Sequence, residues 1–244
     1  MHVLITGLNG TVAPAVARHL RELGHAVTGW DRRQVPADDA STGAAFIAAT
    51  APDWVLHIAT GDPAWAERIA AECAGRAIRM LFTSSVSVFS SGQPGPLTPD
   101  LTPEPPDDYG RYKRDCELRV SAACPEALIA RLGWQIGAAG GSNTMLDFLE
   151  RQVREQGRIV ASRRWIPSCS FLEDTAEAIG RLLAGFPAGI YHLEGNPGLD
   201  FYEIAGRLNR LHGGEWLIEP AEEPAFENRM RDDRIPLRPI TERL

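Results

Sequence analysis

A glycine-rich turn between a predicted strand and a predicted helix, near the start of the chain, constrains the fold most. Residues 2–6 are apolar and rich in β-branched side chains, which is typical of a strand buried on both faces. The turn at 7–13 follows, then a helix with apolar residues at helical spacing, and then a second strand at 26–30 that ends on Asp31. This order within about thirty residues is typical of a nucleotide-binding unit.

Each small or acidic residue of this unit has a chemical reason to be there. Gly7 permits the tight turn out of the strand, and Gly10 lets the backbone approach a pyrophosphate at the helix N-terminus. Ala13 allows close packing of the helix on the sheet, and Asp31 can accept both hydroxyls of an adenine ribose. The predicted dinucleotide site comprises Gly7, Asn9, Gly10, Thr11, Val12 and Asp31. The alternative is a tight loop that binds no ligand.

The residues after the second strand leave the choice of dinucleotide open. Asp31 favours NAD, because its carboxylate binds an unmodified ribose. Arg32 or Arg33 could instead hold the 2′-phosphate of NADP, or both could be solvated loop residues. We predict NAD or NADP as the cofactor, with NAD slightly favoured by Asp31.

Strands and helices alternate beyond this unit. A short helix is predicted at 44–50, a buried strand at 53–59, a helix at 64–73 and a strand at 78–83. This alternation predicts an α/β protein with a Rossmann-type, doubly wound parallel sheet. The segment 93–106 then holds six of the 18 prolines, so we expect a surface loop, either a plain connector or, slightly preferred, one wall of the active site.

Three residues after the glycine turn have the chemistry of a carbonyl reductase. Tyr109 and Lys113 are four apart and therefore share one face of a predicted helix, while Ser85 ends a strand. A tyrosine can give a proton to a ketone oxygen if a nearby cation lowers its pKa, which we expect of Lys113. Ser85 can hydrogen-bond the same oxygen. Tyr112 is the rival acid, but it is adjacent to Lys113 rather than one turn before it.

These motifs resemble those of the extended short-chain dehydrogenase/reductase family. The segment 6–13 is similar to its TGxxGxxG turn, with Ala13 in place of the last glycine, 84–89 is similar to its serine strand, and 109–113 matches YxxxK. The resemblance implies that Ser85, Tyr109 and Lys113 are catalytic. It also implies that His57, Ala59, Tyr109 and Lys113 contact the cofactor, together with Asp31 and Arg32.

Within that family, the chain looks most like the dTDP-4-dehydrorhamnose reductase branch. The segment 130–134 is similar to its arginine/tryptophan strand, and 238–244 to a degraded RPxNSxL segment. Between 59 and 82 the chain is shorter than is usual in the family, which affects the flank of the active site. The predicted substrate site involves Thr60, Ser85, Arg131, Arg164 and Trp165. Arg164 and Trp165 are included because an arginine fork and an aromatic face suit a phosphate or a sugar, and the alternative there is an exposed basic turn.

The resemblance also implies how the chain is divided. A dinucleotide-binding domain is expected at 1–136, with return segments near 166–195. A small C-terminal substrate lobe is expected at 137–165 and 196–244, with glycines at 140 and 141 before a helix at 144–156. The segment 218–234 is acidic, punctuated by prolines and poorly patterned, so we expect it to be mobile.

Composition excludes several classes of partner. The net charge of −7 disfavours nucleic acid, no apolar run is long enough for a membrane, and no basic n-region precedes the first strand. The four cysteines lack metal-ligand spacing, so we expect free thiols, no metal and a cytoplasmic protein. The expected partner is a small-molecule substrate, with a homodimer possible.

Three functions are consistent with these observations. The first is an NAD(P)-dependent reductase that acts on a carbonyl of a nucleotide-linked sugar or similar metabolite, as the presence of Ser85, Tyr109 and Lys113 favours. The second is a non-catalytic NAD(P)-binding regulator or redox sensor, which the shortened active-site flank favours. The third is a sugar-nucleotide epimerase or dehydratase, which would need further acid and base residues beside the tyrosine.

Overall fold

The computed structural model describes residues 1–137 and 143–244. Its strands are β1 His2–Thr6, β2 Ala26–Trp30, β3 Trp54–His57, β4 Arg79–Ser85, β5 Leu128–Leu132, β6 Trp134–Ile136, β7 Ile159–Ser162, β8 Trp165–Ile166, β9 Cys169–Phe171, β10 Gly189–Leu193, β11 Ile218–Ala221 and β12 Phe226–Glu227. Its α-helices are α1 Val12–Glu22, α2 Ala40–Thr50, α3 Pro63–Gly75, α4 Asp108–Ala123, α5 Met145–Gln156, α6 Leu172–Leu183 and α7 Phe201–Leu211, with short 3₁₀ helices at Val86–Val88 and Ile240–Glu242.

Six strands form the main sheet in the order β10-β5-β4-β3-β1-β2, and every neighbouring pair is parallel. The chain leaves β1 toward β2 on one side and returns to β3 on the other. The carboxyl ends of β1 and β3 therefore flank the point at which the strand order reverses, where doubly wound sheets bind ligands. The predicted Rossmann-type doubly wound parallel sheet is confirmed.

Helices cover both faces of this sheet because its strands are apolar on both sides. Val3 and Ile5 of β1 pack into one buried cluster with residues of α1 and α6, whereas Leu4 packs into a second cluster with residues of α2, α3 and α4. This alternation follows from the two-residue period of a strand. The two clusters hold the central strands in place, so the strand ends that carry the site are rigidly supported.

The boundaries of two predicted helices shift because of capping. Helix α2 begins at Ala40 rather than residue 44, because the Asp39 carboxylate accepts hydrogen bonds from the Thr42 amide and hydroxyl at 3.0 and 2.6 Å. Helix α5 begins at Met145 after a capping box formed by Thr144 and Asp147. The two glycines predicted to precede α5, at 140 and 141, lie outside the described residues.

The proline-rich segment 93–106 is a connector, so the preferred prediction that it walls the active site is wrong. None of its residues lines the main cavity described below. Leu97 is instead fully buried with Val88, Phe89 and Met230. Its amide donates to the Arg229 carbonyl at 2.7 Å, and its carbonyl accepts from the Arg231 amide at 2.8 Å. An apolar side chain among the prolines therefore anchors the segment to the C-terminal part of the chain.

The C-terminal half contributes small two-stranded parallel sheets, β6 with β9, β7 with β11 and β8 with β12. The segment 218–234 contains β11, β12 and the buried Met230. Its strands form by pairing with β7 and β8, which are distant in sequence. The predicted division into a dinucleotide domain and a substrate lobe stays a prediction.

Two simple properties follow from this architecture. None of the helices in the described part of the chain has the length and apolarity that a membrane crossing requires. The four cysteines are all buried free thiols, and burial raises the pKa of each of them.

Candidate active site

A cavity of about 1150 Å³ opens at the carboxyl ends of the central strands. The glycine turn and the start of α1 form one part of its wall, and the ends of β2, β3 and β4 and the first turns of α4 form the next. Segments after β5 complete it. The predicted site residues among its lining are Gly7, Asn9, Gly10, Thr11, Val12, Asp31, Arg32, Arg33, Ala59, Thr60, Ser85, Tyr109, Lys113 and Trp165.

The glycine turn is shaped to let a ligand approach the backbone. Gly7 has φ +88°, and a Cβ there would lie 2.9 Å from the Ala59 amide nitrogen, so any side chain would collide with the end of β3. The Gly10 amide closes the turn on the Gly7 carbonyl at 2.8 Å. Helix α1 begins after Thr11 with no side-chain cap and no acidic residue in its first turn. Its first amides are therefore suited to bind a pyrophosphate.

Thr6 and His57 hold this turn from behind. The Thr6 hydroxyl accepts hydrogen bonds from the Ile58 and Ala59 amides, both at 3.0 Å, and therefore directs its proton to His57 Nδ1, also 3.0 Å away. The His57 ring is 1% exposed, and burial, with Lys113 nearby, lowers its pKa to about 3. The prediction that His57 contacts the cofactor is wrong, because its ring lies beneath the cavity wall; Ile58 and Ala59 line the cavity instead.

Asp31 stands at the tip of β2, as predicted, but its carboxylate already has a partner. The Arg33 amide donates to it at 3.0 Å, and the Arg33 guanidinium donates to both its oxygens at 3.3 Å. These bonds hold the pKa of Asp31 below its usual value. Arg32 extends the other way and donates to the Thr60 carbonyl at 3.4 Å. An anion and two cations thus surround the end of the cavity beside β2.

Ser85 and Tyr109 meet in the cavity although they are on different elements. Ser85 ends β4, and its hydroxyl accepts the Ser87 amide at 3.1 Å, which starts the short 3₁₀ helix. Burial raises the pKa of Tyr109, and a hydrogen bond with the Ser85 hydroxyl opposes this shift. The Tyr112 hydroxyl instead accepts the Gly61 amide at 3.1 Å and does not line the cavity. The geometry therefore favours Tyr109 over Tyr112 as the proton donor.

Lys113 lines the same cavity, but its ammonium is directed at the sheet. Its Nζ donates to the Thr83 carbonyl at 2.9 Å and lies 5.0 Å from the centre of the Phe82 ring. Burial lowers the pKa of Lys113 to about 8. The prediction that Lys113 lowers the pKa of Tyr109 is wrong, because burial dominates and raises that pKa. The phenol consequently keeps its proton at neutral pH.

Two predicted substrate residues lie outside the cavity. Arg131 is fully buried, and it donates to both carboxylate oxygens of Glu117 at 2.8 and 2.9 Å and to His192 Nε2 at 3.2 Å. The prediction of a substrate contact at Arg131 is wrong, because its guanidinium is used by this internal network. Arg164 is exposed and does not line the cavity, so its substrate contact stays a prediction beside the alternative of an exposed basic turn. Only its neighbour Trp165 reaches the site.

Sequence reasoning missed a group of residues that lines the cavity beyond β5. These residues are Gln135, Phe148, Ser168 and Asn228, next to Trp134 and the predicted Trp165. Trp134 and Gln135 could have been suspected from the tryptophan strand that follows β5. Asn228 carries no sequence signal, because only the folding of the C-terminal segment against β8 brings it to the cavity.

The fold and the homologous sugar-nucleotide reductases together define an NAD(P)-dependent enzyme of the extended short-chain dehydrogenase/reductase class. The family model described as RmlD substrate binding domain matches residues 62–231, which is more than half of the chain. The chain therefore belongs to the RmlD substrate binding domain family.

Individual relatives agree with this membership. The chain is 29% identical over 174 residues to the "Probable low-salt glycan biosynthesis reductase Agl14" of Haloferax volcanii, which covers 61% of the chain and 58% of that relative. It is 25% identical to a dTDP-4-dehydrorhamnose reductase of Sinorhizobium fredii, over 96% of the chain and 88% of the relative. A solved dTDP-4-dehydrorhamnose reductase from Bacillus anthracis, in complex with NADP, shares the fold with a TM-score of 0.86 at 16% identity, over 99% of this chain and 96% of that one.

Proposed function

We propose that this protein is a reductase that uses NADH or NADPH to reduce a ketone on a nucleotide-linked sugar. The observation that carries the proposal is that Ser85, Tyr109 and Lys113 line the same cavity as the glycine turn. A protein that only binds a dinucleotide has no need of this hydroxyl, phenol and amine at the place where the nicotinamide end would reach. The relatives named as reductases of a dTDP-linked keto sugar support the substrate class.

The cavity wall fits a dinucleotide in three places. The uncapped first turn of α1 would bind the pyrophosphate, and Gly7 and Gly10 leave room for it. Asp31 would accept the adenine ribose hydroxyls. Lys113, which lines the cavity beside Tyr109, would reach the nicotinamide ribose. The bound dinucleotide supplies the hydride, and the protein supplies placement and a proton.

Tyr109 is the proton donor in this proposal. Its raised pKa keeps the phenol protonated, which is the form that can give a proton to the ketone oxygen as that oxygen gains negative charge. The Ser85 hydroxyl, which lines the cavity together with Tyr109, would contact the same oxygen and orient the carbonyl. The Lys113 ammonium donates to the Thr83 carbonyl, so it would not compete with Tyr109 for the substrate oxygen.

The dinucleotide preferred is NADH, with NADPH accepted. Asp31 provides the ribose acceptor that NADH requires. Its pairing with Arg33 partly neutralises the carboxylate, and the side chain of Arg33 is 89% exposed and free to turn toward a 2′-phosphate. The site therefore combines an acceptor for one dinucleotide with a cation for the other. A homodimer remains a prediction.

The first experiment titrates the purified protein with NADH and NADPH by nicotinamide fluorescence and then measures oxidation of the bound dinucleotide by dTDP-4-dehydrorhamnose. Tyr109→Phe should lower kcat by about a hundredfold or more, because general acid catalysis contributes about 10²–10⁴. The dissociation constant of the dinucleotide should change little. Tyr112→Phe is the matched control, because Tyr112 lies on the same helix α4 but does not line the cavity.

Each outcome has a definite meaning. Loss of turnover in Tyr109→Phe but not in Tyr112→Phe supports the assignment. Equal turnover in Tyr109→Phe and the wild type would exclude Tyr109 as the acid. Tight dinucleotide binding without oxidation by any nucleotide-linked ketone would instead favour the non-catalytic binding protein.

A further inference from the structure

The part of the cavity beyond β5 has a composition unlike the rest. We call it the aromatic compartment, and it is lined by Trp134, Gln135, Phe148, Trp165, Ser168 and Asn228. Trp134 and Trp165 stack with ring centres 6.0 Å apart and planes 22° apart, and Phe148 meets Trp134 edge-on at 5.2 Å. Phe201 packs behind both tryptophans at 5.9 and 5.0 Å. The walls are therefore broad, supported apolar faces.

Gln135 lines this compartment and carries an acceptor that has no partner among the described residues. Its Nε2 donates to the Gly133 carbonyl at 3.0 Å and to the Ser170 hydroxyl at 3.2 Å. Rotating the amide by half a turn would place Oε1 against the Gly133 carbonyl oxygen, and two acceptors cannot form a hydrogen bond. The orientation of the amide is therefore fixed. Oε1 is buried and has no hydrogen-bond partner among the described residues, and the side chain is 6% exposed.

An acceptor buried without a partner is costly, and most such groups in folded proteins are satisfied. The protein retains this one on a residue that lines a ligand-sized cavity. A substrate donor that reaches Oε1 would therefore form a new hydrogen bond and also remove the free-energy cost of the buried unpaired acceptor. This makes Gln135 a discriminator between substrates that have a donor at that position and substrates that lack one.

Asn228 provides the complementary donor. Its Oδ1 accepts the Trp165 indole N–H at 3.1 Å and the Ser168 amide at 3.2 Å, which fixes the orientation of this amide as well. Nδ2 therefore faces away from those donors, and no described residue accepts from it. Gln135 and Asn228, which both line the compartment, thus hold one acceptor and one donor in fixed amide orientations.

The compartment also lacks charge. Within residues 1–137 and 143–244, the lining from Leu132 onward contains no Lys, Arg, Asp or Glu, whereas the cations that line the cavity, Arg32, Arg33 and Lys113, lie on elements before β5. A diphosphate calls for cations or helix N-termini, and neither comes from these six side chains. The group that enters is therefore uncharged, polar at its edge and apolar on its faces, as a sugar ring is.

We infer that Gln135 is a specificity-determining residue whose Oε1 accepts a hydrogen bond from a ring hydroxyl of the sugar, beside the carbonyl-binding pair Ser85 and Tyr109. Asn228 Nδ2 donates to an oxygen of the same ring, and the aromatic faces cover it. This inference rests on the proposed reductase function and adds the substrate group that the compartment selects.

The test compares three substrates with three proteins. The substrates are dTDP-4-dehydrorhamnose and its analogues that lack the 2-hydroxyl or the 3-hydroxyl. In the wild type, kcat/KM for one of the two deoxy analogues should be lower than for the parent by about tenfold to a hundredfold, the usual cost of a buried unpaired group. Gln135→Leu has no acceptor at this position. In that variant, kcat/KM for the parent and kcat/KM for the discriminated deoxy analogue should therefore differ by less than about threefold.

Ser170→Ala is the matched control. It removes one partner of Gln135 Nε2 but leaves Oε1 and the bond to the Gly133 carbonyl in place, so the discrimination of the wild type should persist. Melting temperature and NADH affinity are measured for all three proteins to establish that each is folded. A purely structural role for Gln135 would change stability in both variants without changing the substrate ratio.

Two results would overturn the inference, and they are distinguishable. A wild type that reduces the parent and both analogues equally, or a Gln135→Leu variant that keeps the wild-type ratio, refutes the role of Gln135 alone. A wild type that binds NADH or NADPH but reduces none of the three sugar nucleotides refutes the proposed function and this inference together.

Discussion

Arg131 and Glu117 form an ion pair in the protein interior, and its removal tests the role of Arg131 most sharply. The pair has two charge-assisted hydrogen bonds, and each side chain is 1% exposed. A buried charge that loses its partner costs about 3–5 kcal/mol. Removing Arg131 should cost less than removing Glu117. Arg114 also donates to Glu117 at 3.0 Å, whereas no second carboxylate in the described part of the chain pairs with Arg131.

We therefore expect Arg131→Met to lower the free energy of unfolding by about 3 kcal/mol and Glu117→Leu to lower it by about 5 kcal/mol, the two ends of that range. In a chain of this length 1 kcal/mol corresponds to about 2–4 °C. The melting temperature should thus fall by about 6–12 °C in Arg131→Met and by about 10–20 °C in Glu117→Leu. The double variant should lose at least about 2 kcal/mol less than the sum, because neither charge is then left unpaired.

Urea denaturation followed by circular dichroism at neutral pH measures these free energies. The KM of the ketone substrate is measured in parallel and should stay within about twofold in Arg131→Met, because the side chain does not line the cavity. An Arg131→Met protein as stable as the wild type, with KM raised about tenfold or more, would refute the structural role and restore the predicted substrate contact.

Three further predictions concern the cofactor end of the cavity. Gly10→Val should weaken dinucleotide binding by about a hundredfold through crowding of the pyrophosphate, and unchanged binding in the fluorescence titration would count against the turn. Asp31→Ala should shift the ratio of the NADH and NADPH dissociation constants toward NADPH by about tenfold, whereas Arg33→Ala should shift it the other way; a ratio that moves in neither variant would mean that neither side chain reads the ribose. Since burial lowers the pKa of Lys113 to about 8, its charge is present below that pH and lost above it, so kcat should decline above about pH 8 while Tyr109 keeps its proton. Lys113→Arg should move that decline to higher pH, and an identical pH profile would assign the decline to another group.

Local patterns predicted many of the residues that line the cavity. The turn after β1, the spacing of Tyr109 and Lys113 and the hydroxyl at the end of β4 each depend on residues close in sequence or on the register of one parallel sheet. Their geometry follows from helix and strand periods. The corrections at His57 and Arg131 share a cause, because a motif identifies a polar residue near the site but not whether its side chain points into the cavity or into the core.

The sequence by itself determined the parallel sheet and the glycine turn before α1, because apolar periodicity and turn chemistry act over a few residues and leave one favourable arrangement. Only the tertiary structure decided that Arg131 is neutralised by Glu117. It alone brought Gln135 and Asn228 to one compartment. A buried polar side chain takes its role from the partner it meets, and that partner comes from a distant segment through packing that no local pattern encodes.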